Sequence, residues 1–596
     1  MIARIAGLAA LAVAAACSSH TFGTGDARND AGPPSNPGVP PVDSFDPNVP
    51  TWRGGCFFEG PTGKIVNGSP SRDVRLFGSA CPPPGSPVGA GGLVYLDRFD
   101  PVSGSGDVTV LSSAPGSAPI VIGRNGGVGA FTSAASGARF DAGQTRVLAL
   151  QNVNFVTGDL VVADLPGGSP VSTIASGVRV ENYEFLPDGA VLYVGNYDAQ
   201  TRAGDLFYWK GAPAQLIAAQ ASRFDFVMYR LSPAHGHVAF LQGYSVASGG
   251  DLSIQPLPPG QPSTRIDSGV LGMTWAASGR QLVYLKGNPD GVTFAVNSWD
   301  MGLGAVQPIA GAPPEAGANS SAVVGDSIVY ADGWSVLSQQ ATLHMVSAAG
   351  GADSLGAAAP VSLTFGVAQP TSDGASGALA FVGLPSPSDP SAGNLFLARV
   401  PSGPAALTDT TGQVSPAAGF SFSPRAAFVA YARGFVVPQS PGNASPQPGI
   451  AAELMFAPAA GGAPRALATS ASMQRIAWDP LERWAAGIGS FEPAANRGEL
   501  VVKATSDGAQ ITLREPAVAA SWFEFGVDGA ALAAIRGWDD GLQLGELVLV
   551  DTAAVVPWTP VAIDVDVTFY LPPKGRSVIY GVRGGGRDGL WLGGLP

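Results

Sequence analysis

Seven triads carry the residues in this chain best suited to chemistry. They are Gly106-Asp107-Val108, Gly158-Asp159-Leu160, Gly204-Asp205-Leu206, Gly250-Asp251-Leu252, Gly498-Glu499-Leu500, Gly545-Glu546-Leu547 and an amide version, Gly393-Asn394-Leu395. Carboxylates are the usual general acids, nucleophiles and metal ligands. Their repetition argues against all three roles, because a catalytic acid does not need seven copies. The expected role is turn chemistry: glycine supplies a positive φ, and the Asp or Asn side chain bonds nearby backbone N–H groups.

The other reactive residues are sparse. His20 lies near the N-terminus, and His235-Gly236-His237 falls where other repeats place Asp-Gly or Ser-Gly. Two imidazoles that close can share a metal, but no third ligand is suggested. His344, inside ATLHMVS, reads as a packed or edge histidine. Asp97-x-x-Asp100 and Asp539-Asp540 match no calcium-loop signature. The chain has no Gly-x-Ser-x-Gly elbow, Walker loop or His-Glu-x-x-His. The tryptophans, among them Trp209, Trp275, Trp334, Trp478 and Trp522, sit at strand positions and read as core. No catalytic, cofactor-binding or metal-binding residue is assigned, and no cofactor is expected.

The elements that carry these triads recur. A turn, an apolar burst, the triad and a second burst appear in 183–210, 231–257, 371–400 and 525–551. Mid-burst markers fall at Tyr95, Ala149, Tyr193, Phe240, Tyr284, Tyr330, Phe381, Tyr431, Gly487, Ala534 and Tyr580, 44 to 56 residues apart. Each half-unit is a short β-branched, aromatic and aliphatic run closed by Gly, Pro, Asn or Asp, which predicts strand-turn-strand. A unit of about 45 residues holds four such strands, one propeller blade. The fold class is therefore all-β, a β-propeller of four-stranded blades. Eleven markers suit two propellers of five to six blades each better than one large ring. The expected boundary lies in the Pro/Gly/Ala-rich stretch 308–321, giving a first propeller at 51–312 and a second at 313–596. KIVNG (64–68) and VRLFG (74–78) read as a partial blade, and Gly589-Leu590-Trp591-Leu592 as a strand able to close a ring. Insertions at 433–451 and 490–497 are the expected place for binding.

These units resemble the repeats of TolB-type propellers, whose blades carry a Ser-Pro-Asp-Gly turn, an apolar strand ending in an aromatic, and Asp-Ile-Tyr opening the next strand. The matching residues are Leu186-Pro187-Asp188-Gly189 with Tyr193, Ser232-Pro233 with Phe240, and Ser423-Pro424 with Tyr431. Asp205-Leu206-Phe207 and Asn394-Leu395-Phe396 match the second element. The resemblance spans roughly residues 91–596. Only some units keep the proline, and few keep Asp-Gly.

The N-terminus resembles a bacterial lipoprotein signal. A short positive start, Met1-Ile2-Ala3-Arg4, precedes an apolar run at 5–16 that is shorter than the ~20 residues a spanning helix needs. Cys17 then stands at the lipidation position. Ala14 departs from the leucine preferred three residues earlier, and ordinary cleavage after Ala-x-Ala is the rival reading. Residues 17–50 are rich in Ser, Gly, Pro and Asp and read as a disordered tether reaching about 30 Å. Ser18 after the cysteine, by analogy with the family, favours an outer membrane. Cys56 and Cys81 are the remaining cysteines. In an exported chain a disulfide is expected of them, worth roughly 3 kcal/mol; two free thiols or a metal pair are the alternatives.

Composition bounds the partners. The 596 residues carry a net charge of −13, and only 13% are charged, against about 25% in an average domain. No basic stripe interleaves with aromatics, so nucleic acid is not an expected partner. Gly and Pro number 81 and 52, yet hydrophobics reach 45%, which fits many short strands joined by turns rather than disorder. The sequence reads as a monomeric, lipid-anchored envelope propeller that binds a protein, peptide or glycan without catalysis. The alternative is a propeller enzyme of lyase, lactonase or glycoside hydrolase type working with channel carboxylates.

Overall fold

A computed structural model of the chain describes most residues between Thr51 and Gly594. Residues 1–50 and several connections, 81–91, 128–137, 384–391 and 437–448 among them, lie outside the described set. The signal segment 1–16, the tether 17–50, Cys17, Cys56 and Cys81 all fall outside it.

The described residues form strands almost throughout, with one short 3₁₀ turn at Pro416–Ala418. A four-strand antiparallel meander repeats. In the example starting at Tyr183–Phe185, the following members are Val191–Asp198, Ala203–Trp209 and Gln215–Arg223. Burial changes across each group in the way a radial blade requires. The second strand is covered on both faces: Val191 through Gly195 are all buried. The third alternates, as Ala203–Trp209 does residue by residue. The fourth is largely exposed, as in Ser172–Arg179 and Ala305–Pro308. Strands buried on both faces read as unbroken apolar runs, which is why the second strands supplied the sequence markers.

Long strands link consecutive groups. Thr264–Trp275 pairs with Gly249–Pro256 through its first half and with Gln281–Gly287 through its second. It is thus the outer strand of one blade and the inner strand of the next. Ala358–Ala368, Thr512–Phe525 and Thr559–Tyr570 share this form. The architecture is a β-propeller, read from this pairing.

Turns at the inner-strand ends latch neighbouring blades. Ser423 Oγ and the Arg425 N–H both donate to the buried Glu482 carboxylate, which lies one repeat further on. Arg146 Nη2 donates to Gly189 O (2.7 Å) in the Leu-Pro-Asp-Gly turn of the following repeat. The Ser-Pro and Pro-Asp-Gly signatures therefore mark places where blades hold each other.

The chain forms two compact units, Met228–Pro516 and Asp26–Val227 joined with Ala517–Pro596. This differs from the expected division at 312/313. The stretch 308–321 lies inside the first unit. Phe294 and Ala318 exchange backbone hydrogen bonds of 3.1 and 2.8 Å, and Ile309 and Ala318 are buried in one cluster with Val283 and Ile328. Residues 310–317, which carry most of its Pro, Gly and Ala, lie outside the described set. In the second unit, Gly63–Asn67 pairs with Gly589–Gly594, from Gly63 opposite Leu592 to Asn67 opposite Gly589. An N-terminal strand thus completes the group containing the C-terminal one. The partial blade expected from 64–78 is divided between two groups, because Val74–Ala80 pairs instead with Gly92–Asp100.

Candidate functional site

The Gly-acid-apolar triads lie within strands, not in turns. Gly158, Gly204, Gly250, Gly393, Gly498 and Gly545 occupy ordinary extended backbone. This corrects the expectation of positive φ. Their lack of a side chain answers a close approach instead. A Cβ on Gly158 would lie 2.9 Å from Gln151 O, on Gly250 2.9 Å from Gln242 O, and on Gly498 2.5 Å from Gly489 O. Each of those carbonyls ends the regular part of a second strand. The next residue is left-handed: Asn152 (φ 52), Gly243 (φ 58) and Ser490 (φ 45). The ladder bulges at Gly243 and Ser490, and the same bulge recurs at Arg98, Asn196, Gly333 and Gly537. Gly434 is left-handed too, but its strand keeps register.

The acids pin this bulge and a second one. Asp205 Oδ2 accepts from Asn196 Nδ2 (3.0 Å), and its Oδ1 accepts the N–H of left-handed Gln220 (2.9 Å). Asn394 Oδ1 takes the N–H of left-handed Gly412 (3.0 Å), and Asp159 Oδ2 accepts from Asn152 Nδ2 (2.8 Å). Two of these four bonds perform the backbone-bonding role expected of the triads, those to Gln220 and Gly412, and the other two reach asparagine side chains.

The histidines are likewise committed. His235 sits in a turn at φ 55, its N–H donating to Ser232 O, while the His237 N–H donates to Ser232 Oγ (3.1 Å). Among the described residues no group of three His, Cys, Asp or Glu is arranged to hold a metal. His344 stacks on Tyr330 at 4.9 Å and lies between two carboxylates, with Nδ1 3.0 Å from Asp353 Oδ2 and Nε2 3.2 Å from Asp332 Oδ1. Burial, and then Asp332 and Asp353, push the Tyr330 hydroxyl up to about 12.

Two further acids form matching clusters. Asp267 accepts from Tyr284 Oη (2.9 Å) and Lys286 Nζ (2.7 Å), and Asp409 from Tyr431 Oη (2.7 Å) and Arg433 Nε (2.7 Å). Burial raises each carboxyl, but the hydrogen bonds outweigh it and hold both below the ordinary range. The tryptophans pack as expected: Trp478 stacks on Phe428 and meets Phe456 edge-on, and Trp275 Nε1 donates to Arg230 O (3.1 Å).

Among the described residues, one cavity is a candidate site. It has a volume of about 320 Å³ and lies within Met228–Pro516. Its walls are Ala418, Phe420 and Ser421 on one side, and Met473 to Ala477 on the other. Phe420–Phe422 and Ile476–Trp478 are the inner strands of two consecutive groups, each pairing with its own second strand. The segments entering them come from the rim that also carries the second-to-third-strand hairpins. Of the two insertions expected from the sequence, 433–451 joins the second and third strands of the first of these groups, Phe428–Val436 and Ile450–Pro458. The expectation of the other, 490–497, is corrected: Trp484–Glu492 and Arg497–Ala504 are joined by a connection no longer than those at 101–104 or 199–202. Gln474 Nε2 ties the cavity to this short hairpin through Asn496 Oδ1 (2.8 Å). The lining residues carried no sequence signal of their own.

The class defined by this geometry is the β-propeller. No protein-family model matches the chain, and no curated protein matches it. Solved structures similar to it include a eukaryotic initiation factor (11% identity, 66% of this chain and 93% of that one, TM-score 0.31). The tricorn protease (10% identity, 84% and 60%, TM-score 0.24) and TolB from Acinetobacter baumannii (16% identity, 45% and 64%, TM-score 0.22) are two others. The chain thus spans under two thirds of the last two.

Proposed function

We propose that this chain is an exported, lipid-anchored propeller protein that binds a protein, peptide or glycan ligand at the cell envelope, at the rim bearing the Phe420–Ile476 cavity. The observation that carries the binding part is the contrast between that cavity and the repeat acids. The acids are spent on bulges and latches, while the cavity lies between inner strands on the rim that carries the second-to-third-strand hairpins, among them the one joining Phe428–Val436 to Ile450–Pro458. The strand pairing supports a finer architecture: a five-bladed ring interrupted after its third blade by a six-bladed one. Among the described residues no helix is long and apolar enough to cross a membrane. Attachment through Cys17 is proposed from the sequence resemblance alone.

Two experiments test this. Cys17→Ser is expected to move the protein from the membrane to the soluble fraction; retention in the membrane refutes the anchor. A photo-crosslinking residue at Gln474 is expected to give a specific adduct in cells, and the same residue at Leu303, which is 73% exposed in a turn, is expected to give none. Equal labelling at both positions refutes a binding rim.

The enzyme reading has its own candidates. Glu184 and Glu524 stand at the same register position on inner strands of the second unit, opposite Leu192 and Ala533, and Arg139 stands at that level opposite Leu148. All three already engage in interactions. Turnover of a substrate that Glu184→Gln and Glu524→Gln both abolish would favour catalysis over binding.

A further inference from the structure

We infer that the unit Met228–Pro516 rests one end of its propeller, the end opposite the Phe420–Ile476 cavity, on a lipid bilayer; this rests on the reading of the chain as lipid-anchored. In an antiparallel four-strand meander the first-to-second and third-to-fourth turns lie at one end, and the second-to-third hairpins at the other. Among the described residues of this unit six large hydrophobic side chains are exposed, and five of them lie at the first end. Leu303 (73% exposed) and Met301 stand in the turn between Phe294–Asp300 and Ala305–Pro308. Val306 and Leu407 are the second residues of fourth strands, and Leu481 lies in the turn after Ile476–Trp478. These five come from three blades. The sixth, Val436, is at the cavity end.

The same end is close to neutral in a chain of net charge −13. Five of its third-to-fourth-strand turns, 256–263, 301–308, 347–357, 400–407 and 458–464, are built mainly of Pro, Gly, Ala and Ser and contain one charged residue, Asp353. That carboxylate is bonded within its own blade, to the Leu355 N–H (2.9 Å) and His344 Nδ1 (3.0 Å). In the described inner turns Arg280, Arg425 and Arg483 stand against Asp326, Asp479 and Glu482. Arg280 pairs with Asp300 (3.0 Å), Arg483 pairs with Asp479 (2.7 Å), and Glu482 is buried. The triad acids Asp251 and Glu499 lie at the other end, because they open third strands. Apolar side chains with no net charge around them enter the boundary between headgroups and acyl chains, where binding grows with the apolar area buried. Anionic lipid is not required, and it repels a chain of this charge. A protein partner answers the pattern less well. A stable protein interface buries about 800 Å² a side around a packed core, whereas these side chains stand singly on separate blades. A bilayer accepts them one by one. On the anchored reading the tether 17–50, with its reach of about 30 Å, keeps the chain beside one. Docked in this way, the unit turns its cavity away from the bilayer.

The test uses the mature chain, residues 17–596, with Cys17→Ser so that it carries no lipid. Two vesicles are the probes, one of phosphatidylcholine and one of equal parts phosphatidylcholine and phosphatidylglycerol. Co-flotation at millimolar lipid is expected to show binding to the first and no tighter binding to the second. Binding this weak is undone by dilution and does not hold the unlipidated chain at membranes during fractionation. Leu303→Glu combined with Leu407→Glu is expected to weaken binding at least ~10-fold, and Val436→Glu, at the other end, to leave it unchanged. If the double glutamate variant does not fold by circular dichroism, serine at both positions replaces it and is expected to weaken binding in the same direction. Absence of binding to phosphatidylcholine overturns the inference, as do binding that needs phosphatidylglycerol and double variants that bind like the native chain. A discrete protein adduct from the photo-crosslinking residue at Leu303 in cells gives this end to a protein partner and overturns it too. Failure on vesicles while Cys17→Ser is released in cells removes the docking and leaves the anchor; retention of Cys17→Ser removes the anchor whatever the vesicles show.

Discussion

Replacing Gly498 with alanine tests the account of the recurring triads. An added Cβ would lie 2.5 Å from Gly489 O, 2.5 Å from Ile488 Cγ2 and 3.1 Å from Phe491 Cα. Two of these atoms are backbone, belonging to a strand whose bulge is held on both sides, so little can give way. Forcing a methyl group into a filled interior costs about 1–3 kcal/mol. Each kcal/mol lowers the midpoint of thermal unfolding by roughly 2–4 °C at this domain size. Gly272→Ala is the matched control. Gly272 is also in a strand, but a Cβ there meets nothing within 4 Å. That change is expected to be neutral or to stabilise by about 0.4–1 kcal/mol through the unfolded chain. A third variant separates the two explanations of the glycine. Asparagine tolerates left-handed backbone, so Gly498→Asn would be mild if positive φ were the requirement. A close approach makes Gly498→Asn at least as harmful as Gly498→Ala. Calorimetry and urea unfolding read all three. A Gly498→Ala cost within 0.5 kcal/mol of the control, or an asparagine variant close to the native protein, refutes the close-approach argument.

Asp409 predicts a dependence on pH. Its carboxyl is held below the ordinary range, so its contribution is complete above about pH 4, the unfolded value, and is lost as pH falls through the folded one. Asp409→Asn is expected to cost about 1–3 kcal/mol at pH 7, since Tyr431 and Arg433 Nε lose a charged acceptor while Arg433 Nη1 keeps Glu453 (3.0 Å), and to flatten the acid limb of urea-unfolding midpoints between pH 5 and 2; an unchanged limb rules the network out as its source. Leu590 pairs with both Val66 and Gly581, so Leu590→Pro removes ladder bonds from a central strand. Earlier unfolding and faster limited proteolysis are expected, and an unchanged midpoint argues against closure through this strand.

The architecture was legible because strand physics writes itself into local sequence. A second strand covered on both faces, as at Val191–Gly195, must be apolar without interruption, and a tight turn, here Pro187-Asp188-Gly189, must join it to the inner strand. The division into units was not legible, because nothing in composition marks it. Ala517, where the second unit resumes, lies inside the continuous strand Thr512–Phe525, while Ile309 and Ala318, at either end of the conspicuous stretch, are buried in one core cluster of the first unit. The glycines misled for a related reason: a residue type records that a side chain is not tolerated, but not whether φ or a neighbouring carbonyl forbids it. The cavity left even less trace. Phe420 and Ile476 are 56 residues apart and meet only because consecutive inner strands lie side by side.

The pairing of Gly63–Asn67 with Gly589–Gly594 also sets a timetable. Asn67 and Gly589 are 522 positions apart (589 − 67). At synthesis rates of about 5–20 residues per second, the early strand waits roughly 25–100 s for its partner to be made. Throughout that interval the unit containing it has an unpaired edge, while every residue of Met228–Pro516 has already been made before the partner strand exists. An order of assembly follows from topology alone: the interior segment can finish before the segment that encloses it in sequence. Pairing of such long range is intrinsically slow, so the exposed edge of the outer segment is where a holding chaperone has the longest opportunity to act.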